Sequence, residues 1–202
     1  DRTQAQSHAL FDSSRGATKR IQSNNTNAES TETATLKSFT TDGFTLGTSA
    51  TINNGSNPDT YVAWQWKANG GTTSSNTDGT ITSTVQANTD AGFSIVSYTG
   101  NGGTNVTVGH GLSSAPEFII LKDRDNATDW YAYTTKVDGT LDFGRLNTTA
   151  AFSGSGASLP TSSVFYVTGT VANSSGDAKI AYLFHSVQGY SKFGKYTGNG
   201  SS

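Results

Sequence analysis

An all-β chain made of tandem β-sandwich modules of jelly-roll type, with little or no helix, is what this sequence predicts. Short runs of large apolar residues alternating with polar ones recur along it, separated by clusters of Gly, Asn, Asp and Ser. Thr, Ser, Asn and Gly make up much of the composition, while the helix formers Glu, Lys, Leu and Met are few, Met being absent. The third observation is a repeat: YTGNG at 98–102 returns at 196–200. Disorder is the competing reading of a chain with 33 % hydrophobic residues. The 10 % aromatic content and a net charge of −2 argue instead for a buried core.

Each element has its own signal. TNAESTETATLK (26–37) is the only candidate helix, and its poor neighbours limit it to a short turn. SFTTDGFTLG (38–47) is two alternating runs around an Asp-Gly turn, the mark of a hairpin. TYVAWQWKA (60–68) sets Val62, Trp64 and Trp66 against Tyr61, Ala63 and Gln65, so one face of a strand carries the large side chains. The following 68–92, rich in Gly, Ser, Thr and Asn, reads as a linker. GFSIVSYTG (92–100) and TNVTVGHG (104–111) flank a Gly-rich turn. PEFIILKD (116–123) is an apolar run after Pro116, as in a buried strand. DWYAYTT (129–135), SVFYVTGTV (163–171) and KIAYLFHSV (179–187) complete the set.

Aligning the chain with itself extends the repeat beyond the pentapeptide. Asp1-Arg2 lies over Asp123-Arg124, SHALF (7–11) over DWYAY (129–133), and SNNTNA (23–28) over LNTTAA (146–151). FTLGT (44–48) matches FYVTGT (165–170) with one insertion. YVAWQWK (61–67) matches KIAYLFH (179–185), and FSIVSYTGNG (93–102) matches SKFGKYTGNG (191–200). The expected organisation is therefore the back part of one module with its linker (1–92), a nearly complete second module (93–190), and the opening of a third (191–202). Having no strands equivalent to 93–122, residues 1–67 are expected to lean on the second module or on a neighbouring chain.

Several function classes lack a signal. Near-zero charge gives no reason to expect nucleic acid as a partner. No run nears the roughly 18 apolar residues of a bilayer span, so no membrane insertion is expected. Without Cys there is neither a disulfide nor a Cys-bound metal. GNGG at 100–103 lacks the Lys and helix of a phosphate-binding loop, and no cofactor is expected. With no Met at position 1, the chain is expected to begin after processing or to be a piece of something longer.

The chemistry-bearing residues each have a plainer reading. Asp123, Asp125 and Asp129 share an oxygen-rich loop, a weak metal candidate. It lacks the glycine and distal glutamate of a calcium loop, and the aligned DRTQAQS (1–7) keeps only Asp1, which favours a solvated turn. His110 between two glycines reads as a turn residue whose ring satisfies a backbone group. The Asp residues fall mostly in turns, so no carboxylate pair of the glycosidase kind is recognised. Trp64, Trp66, Tyr182 and Phe184 align as equivalent large residues and are expected in the core. Tyr98, Tyr131, Tyr133 and Tyr190 are freer to lie at surfaces, and stand as candidate ligand-binding residues.

The segments FSIVSYTGNGG, VTVGHGLSSAPEFIILKDR, WYAY, LNTTAA and IAYLFHSVQGYSKFGKYTGNG together resemble a repeated module of marine bacteriophage (cyanophage-like) tail and fibre structural proteins. The resemblance covers nearly the whole chain. It implies a non-enzymatic virion component, extracellular, with no catalytic residues to carry over. Partners would be other virion proteins or a host cell-surface glycan. A homo-oligomer is expected, without heptads to impose it. Adhesion through loops is the first expectation, a head or tail decoration module the second, and a glycan depolymerase a distant third.

Overall fold

Where large apolar residues alternate, the backbone is extended. A computed structural model describes residues 3, 5–55 and 59–200. The N-terminal stretch holds β1 (Lys19–Arg20), β2 (Ser30–Thr31), β3 (Leu36–Phe39) and β4 (Phe44–Leu46). Then come β5 (Ser74–Asn76), β6 (Ser83–Asn88), β7 (Phe93–Thr99), β8 (Val106–Gly109) and β9 (Phe118–Asp123). The rest comprises β10 (Tyr131–Thr134), β11 (Asp142–Arg145), β12 (Ser153–Gly154), β13 (Val164–Val167), the one-turn helix α1 (Gly169–Asn173) and β14 (Ala178–Phe184). The fold is all-β, as the pattern predicts. No helix among the described residues is long and apolar enough to cross a membrane.

Eight strands form one antiparallel sheet in the order β12-β11-β10-β9-β14-β7-β6-β5. β7 and β14 pair along their whole length at its centre, with Val96 opposite Ala181 and Ile95 opposite Tyr182. Both faces of this centre are buried. One face carries Val96, Tyr98, Leu121, Ala181 and Leu183, covered by the β8–β13 ribbon with Val108 and Phe165. The other carries Phe93, Ile95, Trp130, Ile180 and Tyr182, covered by Leu10 and Ile21 from the N-terminal stretch. Polar residues on these strands find partners inside: Ser94 Oγ donates to His110 O at 2.7 Å and Ser83 Oγ to Gly109 O at 2.8 Å. Both sheet edges are short and polar, which discourages unwanted pairing.

Side-chain hydrogen bonds clamp the N-terminal stretch to the sheet. Tyr182 Oη donates to Asp12 Oδ2 at 2.6 Å, Trp130 Nε1 to Gln22 O at 2.8 Å, and Arg124 grips Glu29 through two bonds of 2.9 Å. Within that stretch the strand pairing copies the later one. Lys19 faces Thr31 and Arg20 faces Ser30; 123 residues on, Asp142 faces Gly154 and Phe143 faces Ser153. The single bridge Leu10–Ile21 corresponds in the same alignment to the pair Ala132–Gly144.

YTGNG at 98–102 is a clasp. Tyr98 Oη donates to Ala172 O, Gly100 N to Asp177 O and Gly102 N to Asn173 O. A Cβ on Gly100 would lie 2.1 Å from Ser174 O, so only glycine lets the two backbones approach.

Three expectations change. The supposed linker 68–92 holds β5 and β6, because Thr82–Asn88 alternates well enough to extend the sheet beside β7. The run 163–171 leaves the strand after Val167, where Gly169 at φ +76° turns the chain into α1. Trp64 and Trp66, expected in the core, are 77 % and 59 % exposed. Their counterparts in β14 are covered because β14 lies between β7 and β9. Those two strands are already taken, so residues 60–66 join no ladder among the described residues.

Acrylamide should therefore quench Trp64 and Trp66 readily and leave Trp130 protected. A Trp64→Phe/Trp66→Phe variant is expected to emit only protected fluorescence. Trp130→Ala should lower the unfolding free energy by about 3–5 kcal/mol, read by chemical denaturation.

Candidate functional site

Neighbouring strands of an antiparallel sheet end together, and the loops at one such end make a cleft. The start of β9, the end of β10 and the end of β14 meet there, bringing 114–117, 135–136, 139, 159–160 and 185–186 around a cavity of about 440 Å³. That size suits a small ligand. Pro116 and Pro160 stiffen its walls.

Glu117 is the centre of its polar network. Its carboxylate accepts from Ser186 N at 2.7 Å and from Ser186 Oγ, and it is ion-paired to Lys136 Nζ. Burial pushes the Glu117 carboxyl up, but the bonds from Lys136 and Ser186 outweigh it and hold it below the usual carboxylate range. His185 Nδ1 meets Ser186 O at 3.0 Å. A carbonyl oxygen only accepts, so Nδ1 carries a proton and, in the neutral ring, Nε2 is an acceptor. That buried Nε2 has no hydrogen-bond partner among the described residues.

An apolar shelf adjoins the polar cleft across Lys136. Phe118, Phe152, Phe193 and Val137 line a second cavity of about 310 Å³, with Lys195 at its rim. Phe118 and Phe193 stack at 5.8 Å between centroids, and Phe184 tilts against both. The arrangement offers flat apolar faces beside a carboxylate, an ammonium and hydroxyls. It suits a ligand with one apolar face and a hydroxylated edge.

The expected ligand residues are scattered. Tyr98 and Tyr133 are buried, and burial pushes both phenols up. Neither is available at a surface, because the alternation of β7 and β10 turns both toward the β8–β13 ribbon. Tyr131 is half-buried in a cluster with Tyr133 and Phe143, under the Arg145 guanidinium at 5.8 Å. Tyr190 is 70 % exposed, outside both cavities. Tyr182 is buried and Phe184 half-buried, as expected of core residues.

The Asp123 loop holds protein donors rather than pooling its carboxylates. Asp123 accepts from Lys179 Nζ at 2.5 Å and from Asp125 N and Asn126 N. Asp125 accepts from Ala178 N at 2.6 Å. Asp129 accepts from Asn147 Nδ2 at 2.9 Å and is ion-paired to Arg145 at 2.8 Å. Among the described residues no group of three or more His, Asp or Glu could hold a metal. His110 is fully buried, its Nε2 3.2 Å from Thr161 O and its Nδ1 accepting from Leu112 N at 3.0 Å. Burial lowers its pKa.

Asp138, next to the cleft-lining Gly139, and Asp142 lie close enough to affect each other's charge. Thr140 holds Asp138 low, whereas burial and then the Asp138 charge raise Asp142. Sequence reasoning missed Glu117, Lys136, Ser186 and Phe193. Glu117, Lys136 and Ser186 each sit singly within two residues of a strand end and Phe193 nine residues past β14, and only the order of strands brings them together.

Residues 1–202 match one family model, whose description reads "Domain of unknown function (DUF7483)". No curated protein and no solved structure matches the chain.

A depressed carboxyl pKa stabilises the fold above the ordinary carboxylate range, and that contribution is lost as pH falls through the folded-state value. Lys136→Ala removes the strongest bond holding Glu117 down. The Glu117 carboxyl is then expected to titrate at higher pH, followed by its carbon chemical shift in NMR, and the part of the acid loss of stability that this group supplies should shrink.

Proposed function

This chain belongs to the DUF7483 domain family, a membership that carries no activity, and we propose from its geometry that it is a non-enzymatic structural and adhesion module of a virion fibre. It takes a host cell-surface glycan in the cleft at the ends of β9, β10 and β14. The juxtaposition of the phenylalanine shelf with the Glu117–Lys136–Ser186 network carries this reading. Sugar rings present an apolar face and a hydroxyl rim, and aromatic faces beside fixed polar groups match both. The repeated strand pairing supports an array of such modules, in which many weak sites add up.

Depolymerase chemistry fits poorly. Glycosidase carboxyls stand about 5 Å or more apart to admit the scissile bond. Asp138 is instead engaged by Thr140 N and Oγ1, and Asp142 is buried. Ser186 Oγ is bonded to a carboxylate of lowered basicity, and the His185 ring engages a carbonyl oxygen rather than that hydroxyl. A second reading, attachment to other virion proteins, is favoured by one observation, the exposed Val62, Trp64 and Trp66 row.

A glycan array probed with the intact chain separates the two. Retention of one glycan class is expected, weakened about tenfold or more by Phe152→Ala or Lys136→Ala while both variants keep the wild-type circular dichroism spectrum. Uniform lack of retention, with tight binding to a virion protein, would sink the adhesion reading.

A further inference from the structure

One imidazole joins the two chain segments that lead into the cleft. β8 and β13 pair as far as Gly109 opposite Val164, and one more backbone bond follows, from His110 N to Ser163 O at 3.2 Å. Past that point the segments part. One runs through Leu112 to Ser114, Ala115 and Pro116 in one wall of the cleft, and the other runs back through Thr161 to Pro160 and Leu159 in another. The His110 ring spans the gap. Leu112 N donates to its Nδ1 at 3.0 Å, and its Nε2 lies 3.2 Å from Thr161 O. Leu112 N can turn back onto the ring because Gly111 takes φ +71°, a conformation that glycine adopts without strain.

These partners fix the protonation state. A backbone N–H only donates, so Nδ1 is a bare acceptor; a carbonyl oxygen only accepts, so Nε2 carries the ring's proton. Both bonds exist together only in the neutral ring. A second proton has to sit on Nδ1, against the Leu112 N–H, which breaks that bond and charges a ring that is 0 % exposed. We propose that His110 is an acid-operated latch on the ligand cleft, closed while its ring is neutral and released when Nδ1 takes a proton, which frees the 112–116 wall from the 159–161 wall. The inference rests on the reading of this cleft as the ligand site and adds its regulation. Burial sets the balance of charge around the ring: it opposes the proton, the Thr161 carbonyl and Asp78 of the β5–β6 turn favour it, His185 beyond β14 opposes it, and the net is a lowered pKa. With the latch open the ring meets water and titrates at its ordinary value, about 6.5. The closed latch therefore gives its full stabilisation above that value and loses it as pH falls toward the lower folded-state value.

Amide hydrogen exchange on the intact chain tests the latch without any ligand, so its result is readable even where the array retains no glycan. After correction for the intrinsic pH dependence of exchange, protection of the Leu112 amide is expected to fall about fivefold or more between about pH 7.5 and about pH 5. The amides of Val96 and Ala181, paired at the centre of the sheet, should change little over the same range. His110→Gln offers a carboxamide oxygen to Leu112 N and an amide N–H to Thr161 O and does not titrate, so it should erase the pH dependence, whereas His185→Gln should keep it. Where His110→Gln does not fold, the ring nitrogen shifts of the wild type decide: the Nε2–H tautomer is expected at neutral pH, with titration below the ordinary histidine value. Any glycan the array retains should leave the wild type severalfold faster at about pH 5 than at about pH 7.5. Protection at Leu112 that does not change with pH overturns the proposal. So does a pH dependence that disappears with His185→Gln instead, a ring that titrates at or above the ordinary value, or glycan release that ignores pH.

Discussion

Everything in this molecule depends on a sheet that is covered on both faces. β7 and β14 carry large side chains up and down, so neither face can meet water without a large loss of apolar burial. One cover, the β8–β13 ribbon, comes from the same repeat. The other comes from the N-terminal stretch, whose Leu10 and Ile21 pack with Trp130, Ile180 and Tyr182. That second cover is held by a buried charge cluster. Asp12 pairs with Arg15 at 2.5 Å, Arg15 reaches Glu29 at 3.0 Å, and Glu29 is shared with Arg124 from the sheet. Burial opposes the Arg15 charge, but Tyr182, Asp12 and Glu29 outweigh it and leave its pKa raised. A buried charge so partnered is costly to break, by about 3–5 kcal/mol when one partner is removed. The cluster therefore locks two repeats together in one arrangement.

The cleft follows from the same sheet. β9, β10 and β14 are adjacent, and their antiparallel order gathers three loops at one end over a rigid floor. Charged and aromatic residues on those loops converge without any local sequence motif. Loops carry such groups well because their supporting strands do not move. The same logic explains why the tyrosines on β7 and β10 are unsuitable for contact: a strand position on a doubly covered sheet is a packing position.

The two aligned segments differ in their neighbours. β14 lies between β7 and β9, whereas residues 60–66 join no ladder among the described residues. Identical sequence character thus yields a buried Tyr182 and an exposed Trp64. An aromatic row is core or surface according to which strands lie beside it.

How much of this was legible in the residues divides along one line. Period-two alternation, the Asp-Gly and Gly-rich turns, and the scarcity of helix formers determined the all-β class and the positions of β7, β8, β9, β10 and β14, because strand formation depends on short-range pattern. The self-alignment pointed to the pairing of β1 with β2 that recurs 123 residues on in β11 and β12. Only the tertiary structure decided that 74–88 joins the sheet, that Tyr98 and Tyr133 face inward while Trp64 and Trp66 face out, and that Glu117, Lys136, Ser186 and Phe193 share a cleft. Those outcomes rest on which strands lie side by side, and strand order is a long-range property that no local window of sequence contains.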